Sequence, residues 1–151
     1  LLAASLPGLP EKTGLAPERL DFAIQRADYA GEFDREALAE ILRNLLENAV
    51  KYCAAPARVR LSLRREDSEA LLEVADNGPG MSPRMRRRLF IPYFRADSRL
   101  AARVPGLGLG LAIVKGLVTA HDGTITVRSQ PPNGSTFAIR LPLGVPSGDP
   151  A

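Results

Sequence analysis

Three short clusters of polar residues and glycines hold the chemistry this sequence has to offer. Asn44, Asn48 and Lys51 are spaced i, i+4, i+7, which lines up two carboxamides and an ammonium as one stripe along a helix. Asp76-Asn77-Gly78-Pro79-Gly80 puts a single carboxylate at the entry to a turn whose glycines let the backbone approach a ligand closely. Gly106-x-Gly108-x-Gly110 leads directly into an apolar helix. A glycine loop in that place directs main-chain N–H groups and the positive end of the helix dipole at an anion. Each cluster alone also has a plain structural reading: a solvated helix face, an Asx turn, a turn made for close packing.

The two commonest phosphate loops are absent. A dinucleotide fingerprint G-x-G-x-x-G fails because Leu111 and Ile113 stand where its last glycine belongs, and no strand immediately precedes the loop. A Walker A loop needs G-K-[ST], whereas Lys115-Gly116 has the order reversed and no hydroxyl follows.

The elements that must position these clusters are legible from periodicity. Asp34 to Cys53 reads as a helix with Asp34 as N-cap, and Leu38, Ile41, Leu42, Leu45, Leu46 and Ala49 form its apolar face. Leu20, Phe22 and Ile24 alternate with polar or small residues as in a half-buried strand. Val59, Leu61 and Leu63 alternate with Arg58, Arg60, Ser62 and Arg64, and with Leu71 to Ala75 they predict an antiparallel hairpin with one wet face, ending at Asp76. Ser82-Pro83 starts a short basic helix, Ser as N-cap and Pro at N1, and Pro92 ends it. From Leu111 to Val118 apolar residues run nearly all round, which predicts a well-buried helix. Thr124 to Arg128 and Thr136 to Leu141 read as the last strands.

Composition sets the outer limits. A chain of 151 residues with 45% hydrophobic content has the length and apolar content of one domain. The net charge of +3 is mild; arginines cluster between Arg84 and Arg103 with Phe90, Tyr93 and Phe94 among them, a mixture that leaves nucleic acid, acidic protein and polyphosphate open. The single cysteine, Cys53, rules out an internal disulfide and reads as a small buried hydrophobe. No apolar run approaches the roughly 18 residues of a membrane span, and a start at Leu-Leu without Met reads as a soluble piece of something longer. Residues 1–19, with three prolines, read as a linker or the end of a preceding domain, residues 20–144 as one domain, and residues 145–151 as a tail.

In one order along the chain stand NLLENAVKY, DNGPG, LFIPYF, GLGLGLAIVK, HDGTITVRS and NGSTFAIRLP. From Leu20 to Leu143 this series closely resembles the catalytic ATP-binding domain of bacterial sensor histidine kinases, within the superfamily of Bergerat-fold ATPases. The first four segments match that family's N, G1, F and G2 boxes. The resemblance implies an α+β two-layer sandwich, a mixed and mostly antiparallel sheet of about five strands on about three helices. It implies that Asp76 accepts the adenine 6-amino group, that Gly78 and Gly80 let the base approach, and that Thr136 lies near it. Asn48 would offer an oxygen to Mg²⁺, with Asn44 one turn earlier, Lys51 on a phosphate and Tyr52 along adenine or ribose. Gly106, Leu107, Gly108, Leu109, Gly110 and Leu111 would carry the lid hinge and bring N–H groups to the phosphates. Arg95, with Arg99 and Arg103, lies in or beside the lid, where a guanidinium can clamp the γ-phosphate. Phe90 and Phe94 then read as lid-packing aromatics, and the resemblance points away from nucleic acid as a partner.

Gyrase-type members carry a general-base glutamate one turn before the metal-binding asparagine; here that position is Asn44, and a carboxamide does not take a proton near neutral pH. Asn44 and Lys51 are therefore the catalytic candidates of a kinase. His121, the only histidine, matches a structural position of the family and not its phospho-acceptor. The reading is an ATP·Mg²⁺-binding catalytic domain that presents the γ-phosphate to a histidine on a separate dimerisation domain. It lies in the cytoplasm and makes no membrane contact itself, within a membrane-anchored sensor that passes phosphate to a response regulator. The alternatives are a non-catalytic nucleotide-binding switch and a gyrase-like ATPase.

Overall fold

Apolar and charged residues alternate through the middle of the sheet, and that alternation decides which face receives helices. In the computed structural model, which describes residues 13, 15–53, 56–94 and 108–144, β2 (Val59–Glu66) and β3 (Glu69–Asp76) form the expected antiparallel hairpin. Asp67 closes the turn at a φ of 52°, a left-handed conformation that aspartate tolerates. β5 (Ser135–Pro142) pairs antiparallel with β3, and β4 (Thr124–Ser129) with β5. β1 (Leu20–Ile24) lies parallel to β2 and completes the order β1-β2-β3-β5-β4.

One face of this sheet carries Val59, Leu61, Leu63, Leu72, Val74, Ile139 and Leu141, all buried. Onto it packs α1 (Arg35–Tyr52), whose six expected apolar residues are each at most 4% exposed. The Asp34 carboxylate accepts the N–H groups of Glu36 and Ala37 and so caps the helix. α2 (Pro83–Arg88) begins as expected, with Ser82 Oγ accepting the Met85 N–H at 3.2 Å. α3 (Gly110–Ala120) packs against the same core through Val114 and Val118.

Among the described residues, the opposite face is covered by side chains and not by a second layer. Arg64 reaches Glu66 and Glu73, Arg128 reaches Glu73, and Arg140 reaches Glu66 and Glu69, at 2.8–3.4 Å. Exposed pairs of this kind contribute little each. Their aliphatic stems matter more: Leu71, between Arg64 and Arg140 in the register, is only 2% exposed on a face with no helix.

Two expectations about burial do not hold. In β1 only Leu20 is buried, while Phe22 and Ile24 are 46% and 38% exposed, because this strand is the sheet's edge beyond the reach of α1. In α3, Ile113 is 40% exposed and only the i, i+4 pair Val114 and Val118 is fully enclosed, because among the described residues that helix packs on one side only.

Leu46→Ala should therefore cost about 2–5 kcal/mol of unfolding free energy, the range for emptying a leucine site in a packed core. Phe22→Ala should cost a fraction of that, since half of the ring is already in water. Denaturant midpoints of the two variants against the parent measure the contrast, and equal losses would contradict it.

Candidate functional site

The antiparallel register aligns Asp76 on β3 with Ser135 on β5, and Ser135 with Ser129 on β4. Three polar residues thus form one cross-strand row at the end of the helix-covered face. The Asp76 carboxylate accepts the Gly78 N–H at 2.9 Å and a main-chain N–H from Ser135. Burial nevertheless pushes its pKa above the usual aspartate value, and the two N–H bonds offset only part of that.

Asn77 anchors the turn that follows. Its Oδ1 accepts the Arg58 N–H at 2.8 Å and its own N–H donates to the Arg58 carbonyl at 3.2 Å. Gly80 has a φ of 75°, and a Cβ there would stand 2.9 Å from the Pro131 nitrogen. Gly134, at a φ of 76°, leaves no room for a side chain against the Asp76 carbonyl. Both glycines are required by backbone-to-backbone contact between the two turns that flank the row.

The row ends in a cavity of about 280 Å³. α1 supplies one wall through Asn48, Ala49 and Tyr52, with Cys53 at its C-cap. Met81, Met85, Leu89, Phe94 and Phe137 make an apolar lining, and Gly108, Gly110 and Leu111 bring the start of α3 to the rim. Burial, and then the neighbouring Asp76 charge, push the Cys53 thiol up, which works against the thiolate form.

Asn48, Tyr52, Asp76, Gly78, Gly80, Gly108, Gly110 and Leu111 are accordingly brought together around one cavity. Leu109 is the N-cap of α3 just beyond the rim. Asn44 does not line the cavity: its Nδ2 donates to the Glu40 carbonyl at 2.9 Å, and its Oδ1 lies where a Cβ on Gly110 would meet it at 2.9 Å. Lys51 is exposed on α1 outside the lining. Arg95, Arg99, Arg103, Gly106 and Leu107 lie outside the described residues.

Thr136 is a correction. It sits with Arg60, Ser62, Ala75 and Arg128 on the opposite, charged face, and its neighbour Ser135 is the residue in the cavity. Successive strand residues point to opposite faces, so counting back from buried Phe137, Ile139 and Leu141 gives Ser135 and excludes Thr136. Phe94 forms part of the cavity wall under Arg88, whereas Phe90 packs on the core with Lys115 over its ring. His121 is held structurally. Its Nε2 accepts the Asp34 N–H at 3.1 Å and its Nδ1–H donates to the Leu117 carbonyl at 2.8 Å, which ties the start of α1 to the end of α3.

Residues 33–145 match the family described as histidine kinase-, DNA gyrase B-, and HSP90-like ATPase. Sensor protein KdpD of Escherichia coli is 41% identical over 109 residues, 72% of this chain and 12% of that protein. The mycobacterial sensor histidine kinase MprB has a solved structure with a TM-score of 0.74 at 33% identity, covering 93% of this chain and 92% of that one. Full-length ShkA in complex with AMPPNP gives 0.73 at 28% identity, covering 97% of this chain and 30% of that one. The chain spans less than a third of the length of each curated relative it matches. With a five-stranded mixed sheet on three helices among the described residues and a family match over most of its length, the chain belongs to the histidine kinase-, DNA gyrase B- and HSP90-like ATPases, and its fold is that of the sensor histidine kinase catalytic domain.

Proposed function

We propose that this chain binds ATP with the base in the cavity at Asp76 and presents the γ-phosphate to a histidine of a separate dimerisation domain. The observation that carries the reading is a half-buried carboxylate at the end of an otherwise mostly apolar cavity. Such a group needs N–H donors, and the adenine 6-amino group brings one. A cavity of about 280 Å³ lies near the low end of ligand pockets, roughly 300–1,000 Å³, which suits a base held inside with ribose and phosphates toward α3. Tyr52 lies along the wall for ring contact, and the start of α3 faces the anion with its N–H groups and dipole. The similar ShkA structure holds an ATP analogue, which supports the same ligand class here.

Mg²⁺ fits the donors present. Asn48 lines the cavity and its side chain makes no hydrogen bond among the described residues, so a hard carboxamide oxygen is available. Bound there with the phosphates, the ion would neutralise their charge. Lys51, exposed on the same helix, is a second cation for that end of the nucleotide.

Asn44 favours transfer over hydrolysis, and His121 favours an acceptor on another domain. Asn44 already donates to Glu40 and has no basic atom with which to deprotonate water. His121 has both ring nitrogens engaged, so it is no acceptor. In the transfer itself, an imidazole nitrogen of the partner domain forms the N–P bond as the bond from the γ-phosphorus to the β,γ-bridging oxygen breaks. ADP leaves with that electron pair and the imidazole loses its N–H proton. The whole protein is then a cytoplasm-facing, membrane-anchored sensor with a response regulator as phosphate acceptor. The relatives KdpD and MprB are named as sensor proteins, which supports the sensing part of this reading.

Asp76→Asn should fold, because a carboxamide oxygen still accepts the Gly78 N–H, but should lose the thermal stabilisation that ADP or ATP gives the parent. At a nucleotide concentration a hundredfold above Kd that stabilisation is about 2.7 kcal/mol, and a variant stabilised as well as the parent refutes the adenine assignment. The same variant tests linkage. With its pKa raised on folding, Asp76 holds a proton in the folded chain over a range where the unfolded chain has released it. Parent stability therefore falls as pH rises from the usual aspartate value to the raised one, and Asp76→Asn lacks that fall in apo denaturation curves. Finally, mixing the chain with a histidine-bearing dimerisation domain and labelled ATP should place label on the histidine. Appreciable ATP turnover without transfer would favour the gyrase-like reading, and binding without either would favour a switch module.

A further inference from the structure

The hydroxyl of Ser129 touches three groups whose hydrogen-bonding roles are nearly fixed. The Met81 N–H donates to it at 2.7 Å, the Gly134 carbonyl lies 2.9 Å away, and Ser135 Oγ also lies 2.9 Å away. A serine hydroxyl has one proton and two lone pairs. The Gly134 carbonyl can only accept, so it takes the Ser129 proton. The Met81 N–H can only donate, so it takes one lone pair. That leaves one lone pair for Ser135, which must donate its own proton to Ser129. The other assignment, Ser129 donating to Ser135, leaves two oxygens facing each other at 2.9 Å with no proton between them.

Ser135 lines the cavity and stands opposite Asp76 in the register. With its proton turned toward Ser129, it shows the cavity lone pairs only. The Asp76 carboxylate beside it is likewise an acceptor, and the nearby Gly78 N–H is already directed at Asp76. We infer that Ser129 is a positioning residue that makes this end of the cavity acceptor-only and so sets it to select a 6-amino purine over a 6-oxo purine. The inference rests on the nucleotide-site reading and extends it to a residue that does not line the cavity.

A 6-oxo purine reverses the edge, with a carbonyl at position 6 and an N1–H beside it where adenine has an amino group and a bare N1. With Asp76 and Ser135 both set against position 6, that carbonyl faces acceptors and is penalised. Removing the Ser129 hydroxyl frees the Ser135 proton to turn into the cavity and meet that carbonyl. It also removes the acceptor that holds the Met81 N–H and, through it, the turn after Gly80.

The test is titration calorimetry of the parent, Ser129→Ala and Ser129→Thr with ATP and with inosine triphosphate. The parent should prefer ATP, Ser129→Ala should narrow the ATP-to-inosine triphosphate affinity ratio by about tenfold, the size of one hydrogen bond, and Ser129→Thr should keep the parent ratio. An equal loss of affinity for both nucleotides in Ser129→Ala, with the ratio unchanged, is what a merely structural serine gives and overturns the inference. Should Ser129→Ala fail to fold, Ser129→Cys replaces it, since a thiol is a weak donor and acceptor of similar shape, and a parent-like ratio in that variant overturns the inference equally. A parent that binds neither nucleotide overturns the nucleotide-site reading itself, a separate result from an unchanged ratio.

Discussion

A half-buried carboxylate at the end of a strand is the constraint on which the rest of this structure depends. Asp76 is partly withdrawn from water, and that burial raises its pKa despite main-chain N–H bonds from Gly78 and Ser135. Those two donors come from opposite sides, one from the turn after β3 and one from the cross-strand neighbour on β5. Both turns must therefore close against the row, which is why Gly80 and Gly134 stand at positive φ with backbone where a Cβ would go. Asn77 then holds the turn to the start of β2 through the Arg58 backbone.

The helix that faces this row has two jobs separated by angle. Leu38, Leu42 and Leu45 of α1 are buried in the core, while Asn48 and Tyr52 reach the cavity one turn apart. Because the apolar stripe is fully enclosed, the helix cannot roll, and the position of Asn48 is set by leucines that never meet a ligand. His121 adds a fixed point at the other end by accepting the Asp34 N–H at the cap. On the outer face, Arg64, Glu73 and Arg128 keep the sheet wet, so a single face is left for helices and site.

Much of this was legible in the sequence because it is local. The apolar face of α1, the caps Asp34 and Ser82, and the strand that ends at Asp76 follow from spacing and from side chains bonding to nearby backbone. What was not legible depends on position in the assembled fold. Period-2 alternation shows that Leu20, Phe22 and Ile24 share a face of β1, and it contains no statement about whether a helix lies above. Ile113 is apolar within an apolar run, yet among the described residues α3 packs on one side only and Ile113 is 40% exposed. Thr136 and Ser135 both carry a hydroxyl next to Gly134, and only the parity of the strand separates them. Ser129 is less visible still, since its partners Met81 and Gly134 converge on it only after three segments have packed.

Asn44 shows how a packing role and a chemical limit can coincide in one side chain. Its amide donates to the Glu40 carbonyl and its oxygen lies close against Gly110, so a side chain at the first residue of α3 would collide with it. A glutamate there could not donate to Glu40 and would set a negative charge beside the start of α3, where the proposed reading places phosphate. The same replacement would supply the base that hydrolysis needs. A carboxamide at this position thus favours, on that reading, anion binding at the helix start, and it cannot itself deprotonate water. On the proposed reading, the nucleophile must then arrive from outside the chain. That is the division of labour expected when ATP is to be held intact until a histidine is brought to it.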